Sequence, residues 1–140
     1  MPWESFVMLD TAALDRADLP RPDVTAVDAG SILVEKYGLT GRLTELGSQQ
    51  DRNFRIESAE GAFVLKINRA AYGTVELDAQ NAAMTHLRTK GVRVPGVGRS
   101  LDGQEIMALG VRGEDYHARL LEFLDGTPLT RVKFLTEKKG

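Results

Sequence analysis

Residues 45–68 read ELGSQQDRNFRIESAEGAFVLKIN, and the parsing of this stretch decides the fold. An apolar run ends at Gly47, and a knot of small and polar residues follows. Two runs then alternate between apolar and polar residues, RNFRIES (52–58) and AFVLKIN (62–68). A period of two marks a strand with one buried face, because successive side chains point to opposite sides. Ala59-Glu60-Gly61 links the runs, with a glycine where a positive φ costs little. With GRLTELG (41–47) in front, short links make these three strands an antiparallel meander. In the third strand Phe63, Leu65 and Ile67 share one face, Val64 and Lys66 the other.

Downstream, TVELDAQNAAMTHLRTKG (74–91) predicts a helix of about four turns, closed by basic residues and Gly91. Leu77, Gln80, Met84 and Leu87 fall on one face of it. An amide on a buried stripe needs a partner, since an unpaired buried polar group costs roughly 1–3 kcal/mol. For Gln80 that partner is either a nearby backbone group or Lys66, whose ammonium offers donors and no acceptor. VRVPGVGRS (92–100) and QEIMAL (104–109) are separated by Leu101-Asp102-Gly103, read as a hairpin turn, and DYHARLLEFL (115–124) is the final strand.

Upstream, a helix is expected from Asp23, capped by Thr25 or Asp28. Ile32, Leu33 and Tyr37 form its apolar stripe and Gly38 ends it. Residues 1–24 hold Pro2, Pro20 and Pro22 and read as a loosely attached segment with a short helix around 11–17. The order is helix, three strands, helix, two strands and a short remnant.

Composition narrows the class. A chain of 140 residues suits one domain, and 42% hydrophobic with 27% charged residues describes a folded, soluble protein. The net charge is −2 and no basic stripe is present, which argues against nucleic-acid binding. There are no cysteines, so no disulfides or thiolate metal sites, and His86 and His117 lie too far apart for a local metal motif. The first residues, MPWESFVMLDTAALD, carry Glu4 and Asp10 and do not read as a secretory signal. No apolar stretch approaches the roughly 18 residues of a membrane span, so a cytoplasmic protein is expected.

A lysine on a strand usually points to water, and a polar loop between strands is usually a turn. Taken together with the helix and the later strands, they suggest more. In protein kinases the third-strand lysine pairs with a helix glutamate and holds the nucleotide phosphates. The stretches YGLTGRLTELGSQQDRNFRI, GAFVLKIN, ELDAQNAAMTHL and ARLLEFLDGTPL resemble the aminoglycoside phosphotransferase and choline kinase superfamily, and within it the hydroxylysine kinase-like group. The resemblance covers roughly residues 25–130.

It implies an α+β fold: a protein kinase-like N-lobe, with a five-stranded antiparallel sheet, a helix packed on it and an extra N-terminal helix. The implied divisions are an N-terminal segment (1–24), the lobe (25–124), and a hinge exit leading to a missing C-lobe (125–140). Lys66 corresponds to the phosphate-binding lysine. Gly47, Ser48, Gln49, Gln50, Asp51 and Asn53 correspond to the loop over the triphosphate. Glu122, Phe123 and Leu124 correspond to the hinge whose backbone meets the purine, and Gln80 to the helix partner of the lysine. Much of the superfamily has glutamate at that place; the hydroxylysine kinase-like group tends to a Gln-Asn pair, as in Gln80-Asn81 here.

The resemblance further implies ATP or GTP with Mg²⁺, and an amino-alcohol or aminoglycoside-like acceptor. The metal ligands and the H-G-D-x-x-x-x-N segment belong to the missing C-lobe, so this chain alone carries no catalytic residue. Similar lobes also stand at the front of proteins that continue into a class III aminotransferase. The alternative is a non-catalytic nucleotide-binding, regulatory or structural domain of a larger protein. Expected partners are nucleotide and the C-lobe or a downstream domain, with neither nucleic acid nor membrane. Self-association is also expected through an exposed cleft face that includes Val64, Leu109 and the residues around Phe123.

Overall fold

The computed structural model of the chain describes residues 21–47 and 51–124. The short helix expected around 11–17, the loop residues Ser48, Gln49 and Gln50, and the turn at 125–129 lie outside the described residues.

Helix α1 (Ala26–Ile32) opens on Thr25, whose side chain accepts from the Asp28 amide while the Asp28 carboxylate accepts from the Thr25 amide. This capping box satisfies two backbone donors that a helix start leaves orphaned. The two candidate caps are thus partners in one device. The helix widens into a π turn (Leu33–Tyr37) and stops at Gly38, with φ 68°.

The meander follows as β1 (Gly41–Leu46), β2 (Arg52–Ser58) and β3 (Gly61–Arg69), each within a residue or two of its predicted bounds. Gly41 pins the start of β1, because a Cβ there would lie 2.0 Å from the Glu57 carbonyl oxygen. A single 3₁₀ turn (Ala70–Tyr72) leads to α2 (Val75–Thr89), and β4 (Met107–Val111) and β5 (Glu114–Glu122) close the described chain. The sheet is five-stranded, in the order β1-β2-β3-β5-β4, and each adjacent pair runs antiparallel.

One hairpin differs from expectation. β4 pairs with β5 across a two-residue turn at Arg112 and Gly113, with φ 48° and 84°. Both values are positive, as a tight turn that matches strand twist requires. The segment 92–100 does not pair with 104–109. It runs beside the end of β5 through one bridge, Val97 to Leu121, and through the Gly98 amide donating to the Leu120 carbonyl at 2.7 Å. Pro95, with no amide proton, and the two nearby glycines suit an isolated bridge better than a ladder.

The core lies between α1 and one face of the sheet. Ala29, Ile32, Leu33 and Tyr37 meet Phe54, Ile56, Leu65, Ile67, Met107, Tyr116, Ala118 and Leu120 there. The helix expected as an extra is therefore the one that covers the apolar face. Leu109 packs against this core as well, so it does not belong to the open face where self-association was expected.

Residues 21–24 are also bound in. Val24 is fully buried, and the Asp23 amide donates to the Tyr116 hydroxyl at 3.0 Å. Arg21 and Arg52 both reach Glu45. Arg112 clamps the same region, forking onto the Asp28 carboxylate at 2.6 and 3.2 Å and donating to the Asp23 carbonyl at 2.6 Å.

That fork, with the Thr25 amide, holds the Asp28 carboxyl well below the usual carboxylate range. A carboxyl depressed in the folded state contributes stability above its unfolded pKa of about 3.9, and loses it as pH falls. Asp28→Asn should cost more at pH 7 than loss of a helix cap alone, about 1 kcal/mol. The gap from the parent should narrow below pH 4, as read in urea melts at several pH values.

Candidate functional site

The face opposite the core carries the polar residues of the central strands. Cross-strand partners project to the same side, and Lys66 in β3 has Asn53 of β2 as one partner and Arg119 of β5 as the other. These three border a cavity of about 710 Å³. Its apolar walls come from Leu46, Val64, Val94, Pro95, Leu121 and Leu124, and its polar end from Asn53, Lys66, Gln80 and Arg119.

The polar end is built from two cations on adjacent strands. Lys66 Nζ donates to Asn53 Oδ1 at 3.2 Å. Burial pushes its pKa down, the Asp51 carboxylate opposes that, and the Arg119 charge adds to it. Arg119 is only 2% exposed. Its Nη1 donates to Asn81 Oδ1 at 2.8 Å and its Nη2 to Gln80 Oε1 at 2.9 Å, while its Nε is buried with no partner. Both acceptors are neutral amides; burial pushes the Arg119 pKa down and the charge of the Asp51 carboxylate opposes that.

The arrangement corrects the expected partnership of Gln80. Its amide oxygen goes to Arg119, and the lysine turns to Asn53. Nor is Gln80 on the buried stripe of α2: Leu77 and Asn81 are the buried residues of that helix, and Leu87 is 38% exposed. The inward face is therefore rotated by about one residue from the expected one.

Of the other predicted site residues, Gly47, Glu122, Phe123 and Leu124 all line the cavity. A methyl at Gly47 would meet nothing within 4 Å, so packing does not demand a glycine there. Asp51 stands outside the lining, where its carboxylate accepts from Asn68 Nδ2 at 2.7 Å.

The hinge stretch is more committed than expected. The Glu122 amide donates to the Gly96 carbonyl and the Phe123 amide to the Ala62 carbonyl, both at 2.9 Å. Leu124 carries the first amide past the strand that is not spent on the protein. The Glu122 carboxylate accepts from the Gly96 amide and from Arg88 Nη1, both at 3.1 Å, which ties the end of α2 to the cavity rim. Arg55 lies over the Phe123 ring, 4.2 Å from its centre.

Arg119 is the site residue that sequence reasoning missed. The signal is faint: an arginine within ARLLEFL, on the face that alternates away from Ala118 and Leu120. Among the described residues no three His, Asp or Glu side chains come together as a metal site.

The model of the phosphotransferase enzyme family matches residues 42–139. The chain belongs to that family. No curated protein matches it. Among solved structures, this phosphotransferase-family chain is similar to a microcompartment-associated aminopropanol kinase, at 21% identity and a TM-score of 0.62. That match covers 76% of this chain and 34% of the other. A second similar structure is an amicoumacin kinase in complex with AMP-PNP, Ca²⁺ and Ami, at 15% identity and a TM-score of 0.59, covering 85% of this chain and 35% of the other. At these identities the likeness shows the fold, a kinase-like N-lobe. The chain spans about a third of the length of either neighbour.

Because the Arg119 charge depresses the Lys66 pKa and the Asp51 charge raises it, two substitutions should move that pKa in opposite directions. Arg119→Met raises the Lys66 titration and Asp51→Asn lowers it, as followed by the ¹³Cε shift of an assigned Lys66 across alkaline pH.

Proposed function

We propose that this chain is the nucleotide-holding part of a small-molecule kinase. Such an enzyme transfers the γ-phosphate of ATP to a hydroxyl of an amino-alcohol or aminoglycoside-like acceptor. One observation carries the reading: Lys66 and Arg119 set two cations, with the amides of Asn53 and Gln80, at one end of a cleft whose other walls are apolar apart from Glu122 at the rim. That is the polarity of a nucleotide, with a flat apolar base at one end and a polyanion at the other. The cavity volume falls within the range of ligand pockets, about 300–1,000 Å³.

In this reading Lys66 binds phosphate oxygens, and the stretch from Gly47 to Asn53 covers them. The base lies between Val64, Leu121 and the Val94–Pro95 wall. The Leu124 amide meets its edge, since the Glu122 and Phe123 amides are already used. Mg²⁺ bound with the triphosphate supplies charge neutralisation to the transfer. In this reading its ligands come from a second lobe.

The name of the first neighbour supports an amino-alcohol acceptor, and that of the second shows a related fold with a nucleotide analogue. A second lobe or downstream domain closes over the cleft, and in the 140-residue chain Val64 and Leu121 are left at its wall. The chain alone therefore self-associates through that face, which light scattering over a concentration series measures. A monomer at every concentration contradicts this.

Substitution of Lys66 separates binding from folding. Burial lowers the Lys66 pKa, so at neutral pH the unfolded chain holds that proton more tightly than the folded one. The group subtracts stability there and ceases to do so only as pH rises toward its unfolded value, about 10.4. Lys66→Met should weaken AMP-PNP binding by at least about tenfold, a loss of roughly 1.4 kcal/mol. It should leave the melting temperature unchanged or higher. Calorimetric titration and a thermal melt measure both, and unchanged affinity counts against the kinase reading. Binding without transfer in any longer chain would favour the non-catalytic alternative.

A further inference from the structure

We infer that Arg119, and not Lys66, is the positioning residue that fixes α2 to the sheet, and that this leaves the Lys66 ammonium free for a ligand. The second clause rests on the nucleotide reading above. The first does not.

Little else holds the middle of α2. Only Leu77 and Asn81 are buried in it, Val75 is 84% exposed and Leu87 38%. At its C-terminal end Arg88 reaches the Val94 carbonyl at 3.0 Å and the Glu122 carboxylate. In the middle the link is the Arg119 fork, which takes the amide oxygens of two consecutive residues at 2.8 and 2.9 Å. Neighbouring residues on a helix point about 100° apart. A planar guanidinium with separated donors spans them; an ammonium, a single point charge, does not.

The arrangement is costly. A guanidinium 2% exposed, hydrogen-bonded to neutral amides and with its Nε unpartnered, gives up hydration with only the charge of Asp51 to offset it. Apolar packing would fix a helix at less cost, so the choice of groups suggests a second purpose.

That purpose follows from the position of Lys66. Lys66 and Arg119 are direct cross-strand partners on one face. A carboxylate on α2 would draw both cations and would compete with any anion in the cleft. Amide oxygens accept from the guanidinium and add no negative charge. With Arg119 holding the helix, the lysine is steadied among the described residues by a neutral hydrogen bond to Asn53 and by the charge of Asp51, and a phosphate oxygen can displace the Asn53 contact without releasing α2.

Hydrogen exchange on the 140-residue chain, without nucleotide, tests the strut. Arg119→Met should speed exchange across Val75–Thr89 by roughly tenfold or more while β3 keeps its protection. Lys66→Met should leave α2 at the parental rate. Arg119→Lys alone should fail to restore protection, and Arg119→Lys with Gln80→Glu, one point charge facing one carboxylate, should restore it. The restored chain should still bind AMP-PNP more weakly than the parent, because a carboxylate now sits beside Lys66. A merely structural role for Arg119 predicts full recovery of binding.

Should Arg119→Met not fold, Gln80→Glu in the parent gives the same information. It should slow α2 exchange, and the gain should survive Lys66→Met. The inference is overturned if Lys66→Met loosens α2 as much as Arg119→Met, or if the Gln80→Glu gain vanishes with Lys66. It is equally overturned if Arg119→Met folds and exchanges as the parent does. Absence of AMP-PNP binding by the parent sinks the nucleotide reading and the clause about Lys66, and leaves the exchange results to decide the strut.

Discussion

Two cations on adjacent strands, facing the same side of one sheet, set the terms for the rest of the molecule. Lys66 and Arg119 repel each other, and each is pushed by burial toward its neutral form. The face that holds them therefore contributes little to stability and must be carried by the other. The division is visible in the strands themselves. In β3 Leu65 and Ile67 are buried against α1, and the residue between them, Lys66, faces the cleft. Period-two alternation thus separates a stabilising face from a binding face within nine residues.

The stabilising face depends on the N-terminal side of the chain. α1 and its π turn supply much of the apolar layer, and polar contacts hold that layer in register. Arg112, at the turn between β4 and β5, reaches Asp23 and Asp28 from the far end of the sheet. Arg21 and Arg52 converge on Glu45 where the polar loop begins. These pairs are partly exposed, and individually such pairs are weak. Their placement matters more than their strength, because they join α1 to both the loop end and the β4 edge of the sheet. The chain on either side of residues 48–50 is so anchored through Glu45 and Arg52.

Much of this was legible in the chain. The meander of 41–68 announces itself by alternation, and the glycine-containing links fix its direction. The partition of β3 into an apolar face and a lysine face follows from spacing alone. Other features turn on context. The stripe of α2 was read through Gln80, but residues 80 and 81 straddle the inward direction, and propensity gives no reason to choose between them. Only Arg119, supplied from a strand almost forty positions later, makes Asn81 the buried one. Arg119 escaped notice because one arginine in an apolar run ordinarily faces water. The segment 92–100 alternates like a strand, yet Pro95 and the glycines beside it suit an isolated bridge, and its partner is β5 instead of the nearby 104–109. At 122–124, which amides are spent depends on Ala62 and Gly96, two residues with no chemical signature.

The same context dependence bears on where specificity can reside. The cleft presents positive charge at one end and largely apolar walls along its length. These features suit any purine nucleotide, and they carry little that could tell one small alcohol from another. Recognition of an acceptor needs donors and acceptors aimed at its own hydroxyls and amines, since a site built to pair such groups rejects a ligand that lacks them. Lys66 and Arg119 bring positive charge to the cleft, and the Glu122 carboxylate, tied to Arg88 and the Gly96 amide, brings the opposite charge to its rim. So sparse a set of polar groups could not sort small alcohols by their hydroxyls and amines.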